Sequence, residues 1–130
     1  MIDDELIEQA VKAREQAYSR YSGYSVGAAL IDDLGNVHLG CNVENASYPQ
    51  GSCAETGAIA AMVAAGGTRI VAIAVAGGSE RITTCSPCGG CRQRINEFAD
   101  DATRIIIIGE DDEWHSYSID DLLPHSFQLL

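Results

Sequence analysis

At 130 residues, 46% hydrophobic and 21% charged, the chain has the size and make-up of one domain spanning residues 1–130 around one core. Eight Lys+Arg against 19 Asp+Glu leave a net charge of −11, and Lys12 is the only lysine, so the basic track that a nucleic-acid backbone requires is missing. No apolar run nears the roughly 20 residues of a membrane span, and the acidic, patterned start "MIDDELIEQA" reads as neither signal nor transit peptide; a cytoplasmic protein with no nucleic-acid and no membrane partner is expected.

Leu6, Ala10, Ala13 and Ala17 recur at helical spacing, which predicts a first helix capped by Asp3 or Asp4 and running to about Tyr18 or Arg20. "VGAALI" and "VHLGCNV" flank the turn residues of "DDLGN" and predict a β-hairpin. "NASYPQGS" is then loop. Ala54 to Ala65 is apolar nearly all round and stops at Gly66-Gly67, which predicts a helix buried on several sides. "IVAIAVA" reads as a strand covered on both faces. "TTCSP" leads to a helix from about Pro87 or Cys88 that turns Cys91, Ile95 and Phe98 to one face. "RIIIIG" is a second buried strand, "EDDE" a short turn, and "WHSYS" an antiparallel return. Ser118 caps a brief helix, "IDDLL", ended by Pro124. The order α-β-β-α-β-α-β-β plus a short helix predicts a central sheet with helices on both sides.

Five cysteines stand at 41, 53, 85, 88 and 91; an odd number without a signal peptide argues for metal or redox chemistry over a disulfide framework. Within "SCAETG", Cys53 is followed two residues on by Glu55; within "SPCGGC", Cys88 and Cys91 have C-x-x-C spacing. Three thiolates satisfy three positions of a tetrahedral zinc ion and leave the fourth for water, as catalytic sites require. Both motifs open a predicted helix, whose free N–H groups and positive end favour deprotonated thiols. A four-cysteine structural zinc site recruiting Cys41 or Cys85, and a dithiol redox motif at "CGGC", are the competing readings; the redox reading leaves Cys53 and Glu55 without a role.

C-x-E followed by P-C-x-x-C at two helix starts is the signature of zinc-dependent nucleobase deaminases. Zinc acidifies water, and Glu55, just past Ala54, is placed to take its proton, protonate a ring nitrogen and deliver a proton to departing ammonia. Three thiolates leave the zinc centre net negative, so a positive partner is needed. The helix starts and Arg92, directly after Cys91, are the sequence candidates.

Along most of its length the chain resembles the small cytidine deaminase family, zinc enzymes that assemble as homotetramers; the matching stretches are "YSGYSVGAAL", "NVENASYPQGSCAETGAI", "SPCGGCRQ" and "DLLPHSF". The resemblance implies an α/β fold, a three-layer α/β/α sandwich with a five-stranded mixed sheet, one zinc per subunit, and hydrolysis of cytidine and deoxycytidine to the uridine forms. It implies Cys53, Cys88 and Cys91 as zinc ligands and Glu55 as the proton shuttle. Asn42 and Glu44 would hold a ribose hydroxyl, the Ala54 N–H would meet the base carbonyl, and the Ser86 carbonyl would accept from the exocyclic amine. Tyr24 would sit near the base, Tyr48 at a subunit boundary, and Phe127 would reach in from a neighbouring subunit to make each site composite. One departure stands out: many tricysteine relatives carry arginine directly after the catalytic glutamate, and this chain has Thr56. A blasticidin-type deaminase and a noncatalytic structural zinc protein remain the alternatives; the net charge of −11 opposes an enzyme acting on RNA or DNA strands.

Overall fold

The computed structural model describes residues 2–110 and 113–130. In chain order the elements are α1 (Ile2–Arg14), β1 (Ser25–Asp32), β2 (Val37–Cys41), a 3-10 turn (Tyr48–Gln50), α2 (Ala54–Ala64), β3 (Ile70–Gly78), α3 (Gly89–Glu97), β4 (Arg104–Ile108), β5 (Trp114–Tyr117) and α4 (Ile119–Leu122). The five strands form one mixed sheet in the order β2-β1-β3-β4-β5. Only the β3–β4 pair is parallel, joined through α3; the other pairs are antiparallel. The expected strand order of elements and the antiparallel return of β5 are both present. Asp111 and Asp112 of the "EDDE" turn lie outside the described residues.

Side-chain size sorts the two faces of the sheet. On β3, Ile70, Ile73 and Val75 point to one face and pack with Leu30, Ile105, Met62 and Ile95 under α2, α3 and α4. Ala72, Ala74 and Ala76 point to the other, with Ala29, against Leu6 and Ala10 of α1. Small residues let α1 lie close to the sheet, while the bulky face fills the space beneath three helices. The expectation of a strand buried on both sides holds because β3 is central and each face has its own helical layer.

The β1–β2 hairpin turns where it does because Asp32, 2% exposed, accepts 2.9 Å bonds from the N–H groups of Leu34 and Asn36 and faces His38 Nε2 at 2.8 Å. Burial alone would raise its pKa, yet these partners hold the carboxylate below its ordinary value. Gly35, at φ 83°, supplies the left-handed step.

Two expectations are corrected. The first helix ends at Arg14, not near Tyr18. Tyr18 instead pairs with the segment after β2, donating to Asn42 O at 2.9 Å and accepting from Glu44 N at 2.9 Å. These strand-like bonds outcompete another helical turn. Asp3 and Asp4 lie in the first turn rather than at the cap, and Asp3 pairs with Arg104 of β4. The second correction concerns α2: Ala58, Ile59 and Met62 are buried, but Val63 is 50% exposed and Ala60, Ala61 and Ala64 face outward. One side of this apolar helix is therefore uncovered by the chain itself. At the C-terminal end, Ser118 caps α4 as expected, in a reciprocal box with Asp121. Among the described residues, no helix is long and apolar enough to cross a membrane.

Candidate active site

Two helix starts converge at the carboxyl end of β3, because α2 runs into the start of that strand and α3 follows its end. Past Gly78 the chain doubles back, with Thr83 N donating to Gly77 O at 2.8 Å, and carries residues 84–88 over the strand end. Cys53 is the N-cap of α2 and Cys88 the N-cap of α3, both with extended backbone and no side-chain capping bond. A thiol at an N-cap stands beside the unpaired N–H groups of the first turn. Cys91, one turn into α3, is 1% exposed.

The Sγ atoms of Cys53, Cys88 and Cys91 all lie within 4.8 Å of one another. Thiolates held about 2.3 Å from a tetrahedral zinc ion fall inside that spacing, and a soft all-sulfur donor set suits that metal. The residues present fit zinc. Cys41 and Cys85 are outside the group, so the thiols brought together number three rather than the four of a closed structural site.

Charge at the site is uneven. Burial raises the Cys53 thiol, with the charges of Cys88 and Glu55 adding to the rise. Burial, then Glu55 and Cys53, push Cys91 well above its usual range. Cys88 is lowered, first by the Cys91 backbone N–H and further by the Gly90 N–H, against a smaller burial effect. Glu55 is 4% exposed, and that burial raises its pKa; its own N–H, the Cys91 thiol and Arg94 pull against the rise. A carboxyl that is buried, raised and against a ligand thiol is suited to passing protons.

These groups line a cleft of about 620 Å³, within the size range of small-molecule sites. Tyr24, Asn42, Glu44, Ala54 and Ser86 all border it. Asn42 and Glu44 already make internal bonds. Asn42 Oδ1 accepts from Val26 N at 2.8 Å and Nδ2 donates to Tyr24 O at 2.9 Å. Glu44 Oε1 accepts from Tyr21 N and Ser22 N at 2.9 and 3.0 Å, and Oε2 from the Ser22 hydroxyl. These bonds pin the loop after α1 to the wall and leave each side chain with unused hydrogen-bonding capacity. Ala54, first residue of α2, has an N–H without an intrahelical partner. Phe127 does not line its own chain's cleft; it is 70% exposed, its carbonyl accepting from Gln93 Nε2 at 3.2 Å. Tyr48 is 76% exposed and meets Tyr21 edge-on, 6.1 Å between centroids, at a smaller adjoining cavity that Glu44 also borders.

Arg92 does not perform its expected task. Its guanidinium donates to Pro87 O and Leu122 O, both at 2.8 Å, and to Ser86 Oγ at 2.6 Å. It ties α4 and the "SPC" loop to α3 rather than facing sulfur. Not expected from the sequence is Arg94, whose Nη1 stands 3.9 Å from Cys91 Sγ; Cys85, a candidate fourth ligand in the sequence, instead lies outside the thiol group and borders the cleft together with Tyr24. The i,i+3 spacing from Cys91 to Arg94 was the available signal for that arginine.

Residues 1–108 match the family model described as the cytidine and deoxycytidylate deaminase zinc-binding region. A cytidine deaminase of Sporosarcina psychrophila is 38% identical over 124 residues, which cover 95% of this chain and 90% of that protein. Among solved structures, cytidine deaminase from Burkholderia pseudomallei superposes with a TM-score of 0.89 at 41% identity, covering 98% of this chain and all of that one. The Mycobacterium tuberculosis cytidine deaminase does so with a TM-score of 0.83 at 36% identity, covering 97% of each.

Proposed function

The chain belongs to the cytidine and deoxycytidylate deaminase family, and from that premise we propose that it hydrolyses cytidine and 2'-deoxycytidine to uridine and 2'-deoxyuridine, releasing ammonia, in pyrimidine nucleoside salvage in the cytoplasm. The observation that carries this reading is the meeting of three thiols from two helix starts beside one buried carboxyl in a nucleoside-sized cleft.

Cys53, Cys88 and Cys91 hold the zinc ion, which when bound supplies Lewis-acid activation of water. Glu55 accepts a proton from the attacking water and delivers it to the ring nitrogen beside the amine-bearing carbon. It then carries the second water proton to the amine, so that the C–N bond breaks, ammonia leaves and a carbonyl remains. The Ala54 N–H donates to the base carbonyl, and the Ser86 carbonyl accepts from the exocyclic amine. Tyr24 flanks the base. The spare amide hydrogen of Asn42 and spare carboxylate lone pair of Glu44 hold a ribose hydroxyl; their internal bonds fix both groups before substrate arrives, which lowers the cost of ordering them. Among the described residues no Lys, Arg or His lines the cleft, which suits an uncharged nucleoside.

The whole chain acts as one catalytic domain and assembles as a homotetramer with composite sites. Support comes from the apolar side of α2 and from Tyr48 and Phe127, all exposed in the single chain. Ultraviolet absorbance of zinc-loaded protein with cytidine, deoxycytidine and blasticidin is the test. Loss of the cytidine band, with the antibiotic turned over far more slowly, is the expected result; turnover of the antibiotic alone would contradict the nucleoside assignment.

A further inference from the structure

We propose that Arg94 supplies the positive charge that balances the three thiolates, reaching them from the second turn of α3. This inference rests on the zinc site described above and concerns how this chain keeps that site occupied. Three thiolates around a divalent ion carry a net negative charge, and the buried carboxyl of Glu55 adds to it. Partial charges of two helix starts offset part of this. A full positive charge must come from the eight Lys+Arg of the chain. Arg92 is committed to Pro87, Leu122 and Ser86. Thr56, next to Glu55, offers only a hydroxyl, and that hydroxyl is buried without a hydrogen-bond partner among the described residues. Among the described residues, Arg94 is the cationic side chain that donates to a ligand sulfur, with Nη1 3.9 Å from Cys91 Sγ.

The helix explains how it gets there. Residue 94 lies three positions after Cys91 and four after Gly90, on the same face, and long side chains on a helix lean toward its N-terminus. The guanidinium thus folds back over the first turn. Glycine at 90 leaves the way clear: a Cβ there would stand 3.1 Å from Arg94 Nη1 and 3.9 Å from Cys88 Sγ. The point that Gly90 leaves open is therefore bordered by the guanidinium and by a second ligand sulfur. The remainder of Arg94 is exposed, so its replacement removes charge without opening a cavity. Arg94 is in this sense a positioning residue: it acts on the substrate through the metal ligands, not by contact.

The test uses zinc-loaded full-length protein and its Arg94→Gln and Arg94→Lys variants, with thermal unfolding as the control for folding. Zinc release to a colorimetric chelator is expected to be on the order of tenfold faster in R94Q, the scale of effect of groups that support metal ligands, and within about threefold of the parent in R94K, which keeps the charge. In cobalt-substituted protein, the sulfur-to-metal charge-transfer band should move to lower energy in R94Q and return in R94K, because more electron-rich thiolates give up charge more easily. Equal zinc release and an unmoved cobalt band in R94Q would overturn the proposal while leaving the zinc site intact, and so would an R94K variant as impaired as R94Q. A parent protein that binds no zinc would remove the site and the proposal together.

Discussion

Gly40 of β2 lies close against the backbone of α2, and this contact offers a test with opposite outcomes on its two sides. A Cβ placed on Gly40 would stand 2.2 Å from Ala54 O and 2.5 Å from Ala58 N, both rigid helix backbone. Reaching ordinary contact requires α2 to withdraw by about 1 Å, and overpacking of this kind costs about 1–3 kcal/mol. The displaced residues adjoin Cys53 and Glu55, while Cys88 and Cys91 ride on a different helix and stay behind. A misplacement of that size costs on the order of 10²-fold in rate. Gly57 faces Gly40 from the helix; a Cβ there would meet Gly40 Cα at 3.5 Å, which is ordinary contact. Gly57→Ala, exchanging glycine for the best helix former, should be neutral or stabilising by up to about 1 kcal/mol. Urea unfolding, zinc content and kcat on cytidine for both variants are the assay. Gly27→Ala is the control for general strain, because its Cβ would strike Ala10 O and Arg14 N of α1, on the opposite face. It should lose stability while keeping more turnover than Gly40→Ala. If Gly40→Ala keeps parental turnover, or Gly27→Ala loses as much, the claim that this contact sets the active-site geometry is wrong.

Glu55→Gln should lower kcat by about 10²–10⁴-fold, the range for losing a general acid–base group, while retaining zinc; full activity with bound metal would discard the proton shuttle. Phe127→Ala should weaken kcat/KM with little change in thermal stability, as expected of a side chain 70% exposed in its own chain. Mixing Phe127→Ala with Glu55→Gln subunits should then regain activity that neither has alone, and no gain after subunit exchange would refute the composite site. Asp33 is held at about 2 by the N–H and hydroxyl of Thr68 and the N–H of Arg69. Its folded pKa is depressed, so its contribution to stability is complete above the ordinary carboxylate range near pH 4 and is lost as pH falls toward about 2. Asp33→Ala should flatten the acid limb of stability in that window, and a carboxyl NMR midpoint near 4 would contradict the linkage.

Much of the architecture was legible because burial leaves a period in the sequence. "IVAIAVA" betrayed a central strand, and the structure adds that its alternating large and small residues divide two helical layers. The thiol pattern was legible because ligand spacing at a helix start is local: Cys53 and Cys88 are the caps that the motifs suggested. What escaped was set by distant partners. The end of α1 depends on pairing between Tyr18 and residues 42–44. Adjacency to Cys91 made Arg92 the obvious cation, but adjacent helical residues point in different directions, and the i+3 residue, Arg94, is the one on the sulfur's side. The exposed side of α2 is invisible to composition, because an apolar helix reads the same whether its own chain or another covers it.

X-ray absorption at the zinc edge addresses the metal centre most directly. Purified protein should show three sulfur neighbours at about 2.3 Å and one lighter neighbour at about 2.0 Å, the latter exchangeable with solvent-derived ligands. A fourth sulfur, recruited from Cys85 or Cys41, or a protein that retains no zinc, would contradict the account.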